Sequence, residues 1–240
     1  MSANLERTVK EVAVDVPGAT RVFEKLGIDY CCGGGKSLAD ACFGAGVSLE
    51  EVMAALEAGK ERHAGKESDN WQSRSLAELA DHIVHKHHEY TKSELERLDK
   101  LCEKVASVHG QNHPELAKVR ELFLALKKDL VPHMLKEEQV LFPYIERLED
   151  ATLNGRPAPT PFFGTVRNPV QMMIRDHDAA GDLLRSLRAE SSDYAVPADG
   201  CTSYRTLYQA LQELEQDLHQ HIHLENNILF PRAVVMESAR

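Results

Sequence analysis

The chain has 240 residues, with 28 Lys and Arg against 38 Asp and Glu, a formal net charge of −10. That acidity argues against nonspecific nucleic-acid binding, which needs basic patches to displace counterions. No run of about 18 apolar residues exists, so no helical membrane span is expected. In chain order, residues 1–60 read as a small helical unit. Met1–Arg7 lacks the apolar segment of a signal peptide, so the expected location is the cytoplasm. Val22–Leu26 forms a helix ending at Gly27, and Ser48-Leu49-Glu50-Glu51 is a capping box opening a second helix expected to stop at Gly59. Between them, the glycine-rich loop Tyr30-Cys31-Cys32-Gly33-Gly34-Gly35 carries two adjacent thiols. Residues 61–74 are polar, without apolar period, and read as a linker. Residues 75–240 hold four long helical patterns, at about 75–108, 114–148, 169–191 and 204–236, separated by proline and glycine clusters. No segment alternates like a strand. The expected class is all-α, with a four-helix bundle behind a small helical domain.

An internal repeat organises the bundle. His133-x-x-x-Glu137 with Leu141-Phe142-Pro143 recurs as His221-x-x-x-Glu225 with Leu229-Phe230-Pro231, every position displaced by 88. The bundle therefore reads as two copies of one helix hairpin, related by approximate two-fold symmetry. The third helix has a single histidine, His177, and an offset of 89 maps it onto His88. Apolar periodicity alone puts His87 nearer the middle of the first helix's stripe. The repeat favours His88, and His87 is the rival.

Residues four apart on a helix point the same way, so each His-x-x-x-Glu presents both groups to one face. With His88 and His177 they make four imidazoles and two carboxylates inside one bundle. Six N/O ligands in pairs suit two octahedral ions better than one tetrahedral zinc, with two histidines per ion and both carboxylates bridging. Iron or manganese fits such donors; zinc is chemically possible but supplies no redox chemistry. Of the 12 histidines, His82, His85, His109, His113, His219 and His223 are expected to be ordinary. Leu-Phe-Pro is expected to be packing followed by a helix kink or end.

His88, His133-x-x-x-Glu137, His177 and His221-x-x-x-Glu225 resemble the hemerythrin-like di-iron site. With Asp29-Tyr30-Cys31-Cys32-Gly33-Gly34, the chain resembles the iron–sulfur cluster repair di-iron proteins, the RIC proteins of the YtfE and ScdA type. The likeness covers essentially the whole chain, with both modules in the family's order. Gly35 before Lys36 is a departure that lengthens the cysteine loop. Oxygen-carrying hemerythrins are similar in fold but carry a fifth histidine and no cysteine module.

The resemblance implies two non-haem Fe ions, carboxylate- or oxo-bridged, held by those six residues. It further implies a cytoplasmic protein that repairs iron–sulfur clusters damaged by nitrosative or oxidative stress, with damaged iron–sulfur proteins as clients and nitric oxide or dioxygen as small ligands. Iron donation is the leading expectation, a repair protein rather than a turnover enzyme. Nitric-oxide binding or reduction at the di-iron centre, as scavenger, reductase or sensor, is the alternative. Cys31 and Cys32 can bind a soft metal, accept a nitrosyl group or form mixed disulfides; they can also be two small residues in a turn. Cys42, Cys102 and Cys201 are expected to be structural.

Overall fold

A computed structural model of the chain describes residues 7–63 and 70–239. The reading of Met1–Arg7, except for Arg7, and that of residues 64–69 of the linker lie outside the described residues. The fold is all-α: the described residues contain no strand, only a bridge pairing Thr8 with Ser37. None of the described helices is long and apolar enough to cross a membrane.

Four helices form the N-terminal unit: α1 (Val9–Asp15), α2 (Ala19–Lys25), α3 (Leu38–Ala45) and α4 (Leu49–His63). They enclose a core of their own, built on Val9, Val12, Phe23, Ile28, Leu38 and Val52. Neither α1 nor α3 was expected, because seven or eight residues carry too short an apolar pattern. A signal for α1 was nonetheless present. Thr8 and Glu11 form a capping box in which the Glu11 carboxylate accepts the Thr8 N–H at 2.8 Å. The second correction is at Gly59, where α4 continues to His63 instead of stopping. A helical glycine costs only about 1 kcal/mol relative to alanine, and Lys60, Glu61 and Arg62 are good helix formers.

The bundle follows. Its first long helix joins α5 (Leu76–His82) to α6 (Glu89–His109) through a π segment, Ile83–His88. The second joins α7 (Glu115–Lys136) to α8 (Phe142–Leu153) through Glu137–Leu141. The third is α9 (Arg167–Glu190), uninterrupted, and the fourth joins α10 (Thr202–Leu224) to α11 (Phe230–Ser238) through Glu225–Leu229. Leu-Phe-Pro is therefore no helix end. In the second and fourth helices the π segment resets the hydrogen-bond register just ahead of the proline, so Pro143 and Pro231 fall in the first turn of a new α stretch. A missing N–H costs nothing there.

The repeat extends to the helix starts. Glu149 is buried and accepts the N–H groups of Leu76 at 2.7 Å and Ala77 at 2.9 Å. Glu237, 88 positions on, accepts the N–H of Val166 at 2.9 Å. Each hairpin thus ends on a carboxylate that caps its own first helix. Glu149→Ala leaves one buried and one part-buried donor without acceptors and is expected to destabilise the fold by ~1–3 kcal/mol. Thermal unfolding checks this, since about 2–4 °C of Tm is expected per kcal/mol in a domain of this size.

Two apolar layers fill the bundle. One holds Leu95, Leu98, Phe123, Leu126, Leu184 and Leu211; the other holds Leu79, Ile83, Ile145, Val170, Phe142 and Phe230. Between them lies a layer of buried histidines and glutamates. The N-terminal unit docks on the fourth helix: Asn227 donates to the Tyr30 carbonyl at 2.9 Å, and Gln220 donates to the Tyr30 hydroxyl at 2.7 Å. Arg232 ties down the segment after the linker, donating to the carbonyls of Trp71 and Arg74, each at 2.7 Å.

Candidate metal centre

His133 and Glu137 straddle the junction of α7 with its π segment, and His221 and Glu225 straddle the matching junction of α10. The i, i+4 spacing brings each pair together: His133 Nε2 lies 3.3 Å from Glu137 Oε2, and His221 Nε2 lies 3.0 Å from Glu225 Oε1. His88 closes the π segment of the first helix, and His177 sits mid-way along α9. All six side chains are buried, the two carboxylates at 0% exposure.

Packing sorts the six into two groups. His88, His221, Glu137 and Glu225 form one, and His133, His177, Glu137 and Glu225 the other; in each, four donor atoms lie within 4.8 Å of one another. Both carboxylates belong to both groups. His88 Nε2 faces His221 Nε2 at 3.0 Å, and His133 Nε2 faces His177 Nε2 at 3.0 Å. Phe142 stacks on His88 and Phe230 on His177, with centroids at 5.8 and 6.1 Å. The repeated Phe of Leu-Phe-Pro therefore holds the imidazole of the other helix in its hairpin.

The outer nitrogens fix which way the rings are protonated. His88 Nδ1 donates to Glu138 at 2.7 Å, His177 Nδ1 to the Asn226 side-chain oxygen at 2.9 Å, and His133 Nδ1 to Asp176 at 3.3 Å. Each acceptor leaves the Nε2 lone pair pointing inward in the neutral ring. Glu138 is itself held by Lys92 at 2.6 Å, and Asp176 by Lys136 at 3.4 Å. Glu138 and Asn226 occupy matching positions, 88 apart, although one is charged and the other is not.

The symmetry breaks at His221, whose Nδ1 is buried without a partner among the described residues. The repeat position of Asp176 is occupied in the first hairpin by His87. That ring stacks parallel on His221 with centroids at 5.6 Å and turns its own Nδ1 to Asp217 at 2.9 Å. His87 is thus buried beside the six-residue cluster but contributes no donor atom to it.

The cluster fits cations. Both Glu137 oxygens and Glu225 Oε2 are buried with no hydrogen-bond partner among the described residues. Four inward lone pairs around unpartnered carboxylates repel one another unless protons or cations intervene. Protons do so in the metal-free chain. Burial pulls His133 down, but the adjacent Glu137 carboxylate, with Glu225 behind it, outweighs it and holds the ring up to about 9. His88 is raised in the same way against its burial by Glu225 and Glu137. Glu225 is held well below the usual carboxylate range by His221 and His177, in spite of its burial.

The cysteines divide differently from expectation. Cys31 is buried, Cys32 is partly covered, and their sulfurs lie 3.8 Å apart beside Asp29. Cys42 and Cys102 are buried, as structural residues are. Cys201 is not: it is exposed at the N-cap of α10, with its sulfur 3.1 Å from His109 Nε2. The first-turn N–H groups, Tyr204's above all, and His109 lower its thiol to about 7, whereas the Cys32 hydrogen bond and burial push Cys31 well up. Sequence spacing could not show His109, 92 positions away. Limited iodoacetamide at pH 7 is expected to label Cys201 ahead of Cys31, Cys42 and Cys102, as read by peptide mass spectrometry.

Comparison with known proteins places the chain in a family. A family model described as the Hemerythrin HHE cation binding domain matches residues 79–233. A second, the ScdA_N domain of unknown function, matches residues 5–60. A probable iron-sulfur cluster repair protein of Haemophilus influenzae is 33% identical over 229 residues, covering 95% of this chain and 97% of that protein. The iron-sulfur cluster repair proteins YtfE of Escherichia coli K12 and Shigella boydii are each 34% identical over 233 residues, covering 97% of this chain and 98% of theirs.

Proposed function

Because the chain belongs to the hemerythrin-type iron–sulfur cluster repair family, we propose that it is a di-iron protein that repairs clusters damaged by nitrosative or oxidative stress by donating iron. Its clients are damaged iron–sulfur proteins of the cytoplasm. One observation carries the reading: two buried donor groups share both carboxylates and are otherwise made of imidazoles. His88 and His221 would hold one ion, His133 and His177 the other, and Glu137 and Glu225 would bridge. Residues 1–60 serve as the cysteine-bearing domain, 61–74 as linker and 75–240 as the di-iron bundle.

When bound, two irons supply one-electron redox chemistry and a releasable cargo. The chain sets how tightly they are kept. Glu137 and Glu225 would offset two of the four positive charges of a ferrous pair, and Glu138 and Asp176 lie one hydrogen bond further out, each already paired with a lysine. Four neutral imidazoles make a weaker cage than an all-carboxylate set, which suits a donor. Glu138, Asp176 and Asn226 keep three of the rings in the tautomer that presents Nε2 inward.

The test is anaerobic transfer. Iron-loaded chain, mixed with an apo ferredoxin and sulfide, is expected to lose iron while the cluster's absorption grows. Iron that stays on the chain while the apo ferredoxin remains colourless overturns donation. Multiple-turnover release of nitrous oxide from nitric oxide, without any transfer, favours the reductase reading instead.

A further inference from the structure

We propose that Asp29, Cys31 and Cys32 form a separate mononuclear site for a borderline-soft divalent cation such as Fe(II) or Zn(II). A carboxylate oxygen and the two sulfurs lie within 4.8 Å of one another, and none of them belongs to the six-residue cluster. The spacing is that of ligands already placed around an ion. Metal–sulfur bonds of about 2.3 Å at tetrahedral angles put two sulfurs about 3.8 Å apart, and a sulfur and an oxygen about 3.5 Å apart. The two sulfurs are 3.8 Å apart, and Cys31 Sγ is 3.4 Å from Asp29 Oδ1. Two edges of the coordination polyhedron therefore exist before any ion enters. A disulfide needs sulfurs at about 2.05 Å, and closing one between neighbours strains the chain.

The loop is built to hold this arrangement. Asp29 Oδ1 accepts the N–H groups of Cys31 at 3.2 Å and Cys32 at 3.0 Å, which aims the carboxylate at both thiols. A Cβ on Gly33 would stand 3.1 Å from that carboxylate, and one on Gly34 would stand 2.9 Å from the Tyr30 carbonyl. On the bundle side a Cβ at Gly181 would reach 3.4 Å from Cys32 Sγ. Glycine at these positions lets carboxylate, thiols and α9 approach closely.

Charge and access agree. Binding releases two thiol protons to solvent and leaves two thiolates, one carboxylate and a divalent ion, a net charge of −1. Arg185 answers it, with Nη1 3.7 Å from Asp29 Oδ2. The cysteines and Asp29 line an open cavity of about 550 Å³ that also reaches Lys36, Arg188 and His219, so an ion has a path in and a free coordination position faces the cavity. Thiolate donors select borderline-soft ions over magnesium or calcium. Cys32 Sγ lies 3.5 Å from the carbonyl of His177, so the site abuts the helix turn that carries a residue of the buried cluster. The proposal concerns binding and does not rest on iron donation.

Co(II) is the probe, added anaerobically to the reduced full-length chain. A thiolate-to-cobalt charge-transfer band in the near ultraviolet is expected in the wild type, lost in Cys31→Ser/Cys32→Ser. Asp29→Asn is expected to keep the band but weaken binding by more than the ~10–100-fold typical of outer partners. Co(II) is also expected to slow alkylation of Cys32 in the wild type at least tenfold. No band in the wild type, an undiminished band in the double variant, or an unchanged alkylation rate each overturns the site. The wild-type measurements decide even if a variant fails to fold.

Discussion

Glu225→Ala is expected to empty both metal positions at once, from two irons per chain to none, although it removes one side chain. Glu225 belongs to both donor groups, so its loss opens each coordination set simultaneously and leaves four imidazoles and one carboxylate in a buried space. Glu137→Ala is expected to do the same. Histidine variants should differ: His88→Ala strips the group shared with His221 and leaves His133 and His177 facing each other, so about one iron remains. Metal analysis of anaerobically loaded protein, with circular dichroism to confirm folding, separates the two patterns. Two irons retained in Glu225→Ala sinks the shared-carboxylate assignment. The alanine also takes away one of the two carboxylates that raise His88 and His133. The metal-free variant should therefore be less stable than the metal-free parent near neutral pH, because removing one partner of a buried pair strands the other.

The second large effect is on pH. In the metal-free chain His133 holds its proton up to about 9, and His88 is raised too, so near neutrality an entering ion must displace protons. Metal affinity is expected to rise with pH, roughly tenfold per unit for each proton displaced. From pH 6 to pH 8, His133 alone accounts for about 100-fold. Stability of the metal-free chain runs the other way. A histidine raised above its ordinary 6.5 contributes fully below 6.5 and loses that contribution as pH climbs through about 9. Glu225, depressed below its ordinary 4.5, contributes above 4.5 and loses its share as pH falls further. The metal-free chain should thus be most stable between about pH 4.5 and 6.5, and the loaded chain above pH 7. Tm against pH for both forms checks the crossing; parallel profiles would refute it.

Much of the bundle was legible because its signals are local. His133 with Glu137 and His221 with Glu225 need only the 3.6-residue turn, and the constant offset of 88 names the pairs again and extends to Phe142 with Phe230 and Glu149 with Glu237. The ends of the four long helices fall within a few residues of the periodic patterns. The π segments left no such mark. They differ from α-helix only in that each hydrogen bond spans one residue more, and their side chains read as ordinary amphipathic pattern. Short α1 and α3 were missed because their stability comes from burying Val9, Val12 and Leu38 against α2 and α4, not from their own periodicity.

By itself the sequence determined the class of fold, the duplicated hairpin and the two His-x-x-x-Glu pairs, because each rests on spacing along a single helix. The repeat favoured His88 over His87, and the tertiary structure groups His88, not His87, with the other five residues. Neighbours on a helix point about 100° apart, and which one faces the axis depends on how the first helix is rotated against the fourth. The same holds for the outer partners: Glu138 serves His88 from 50 positions away, Asp176 serves His133 from 43, and His109 reaches Cys201 across 92. Packing also set Asp29 beside both thiols and laid Cys32 against the His177 carbonyl. Such contacts form where distant elements close on one another, and no pattern within either element encodes the distance between them.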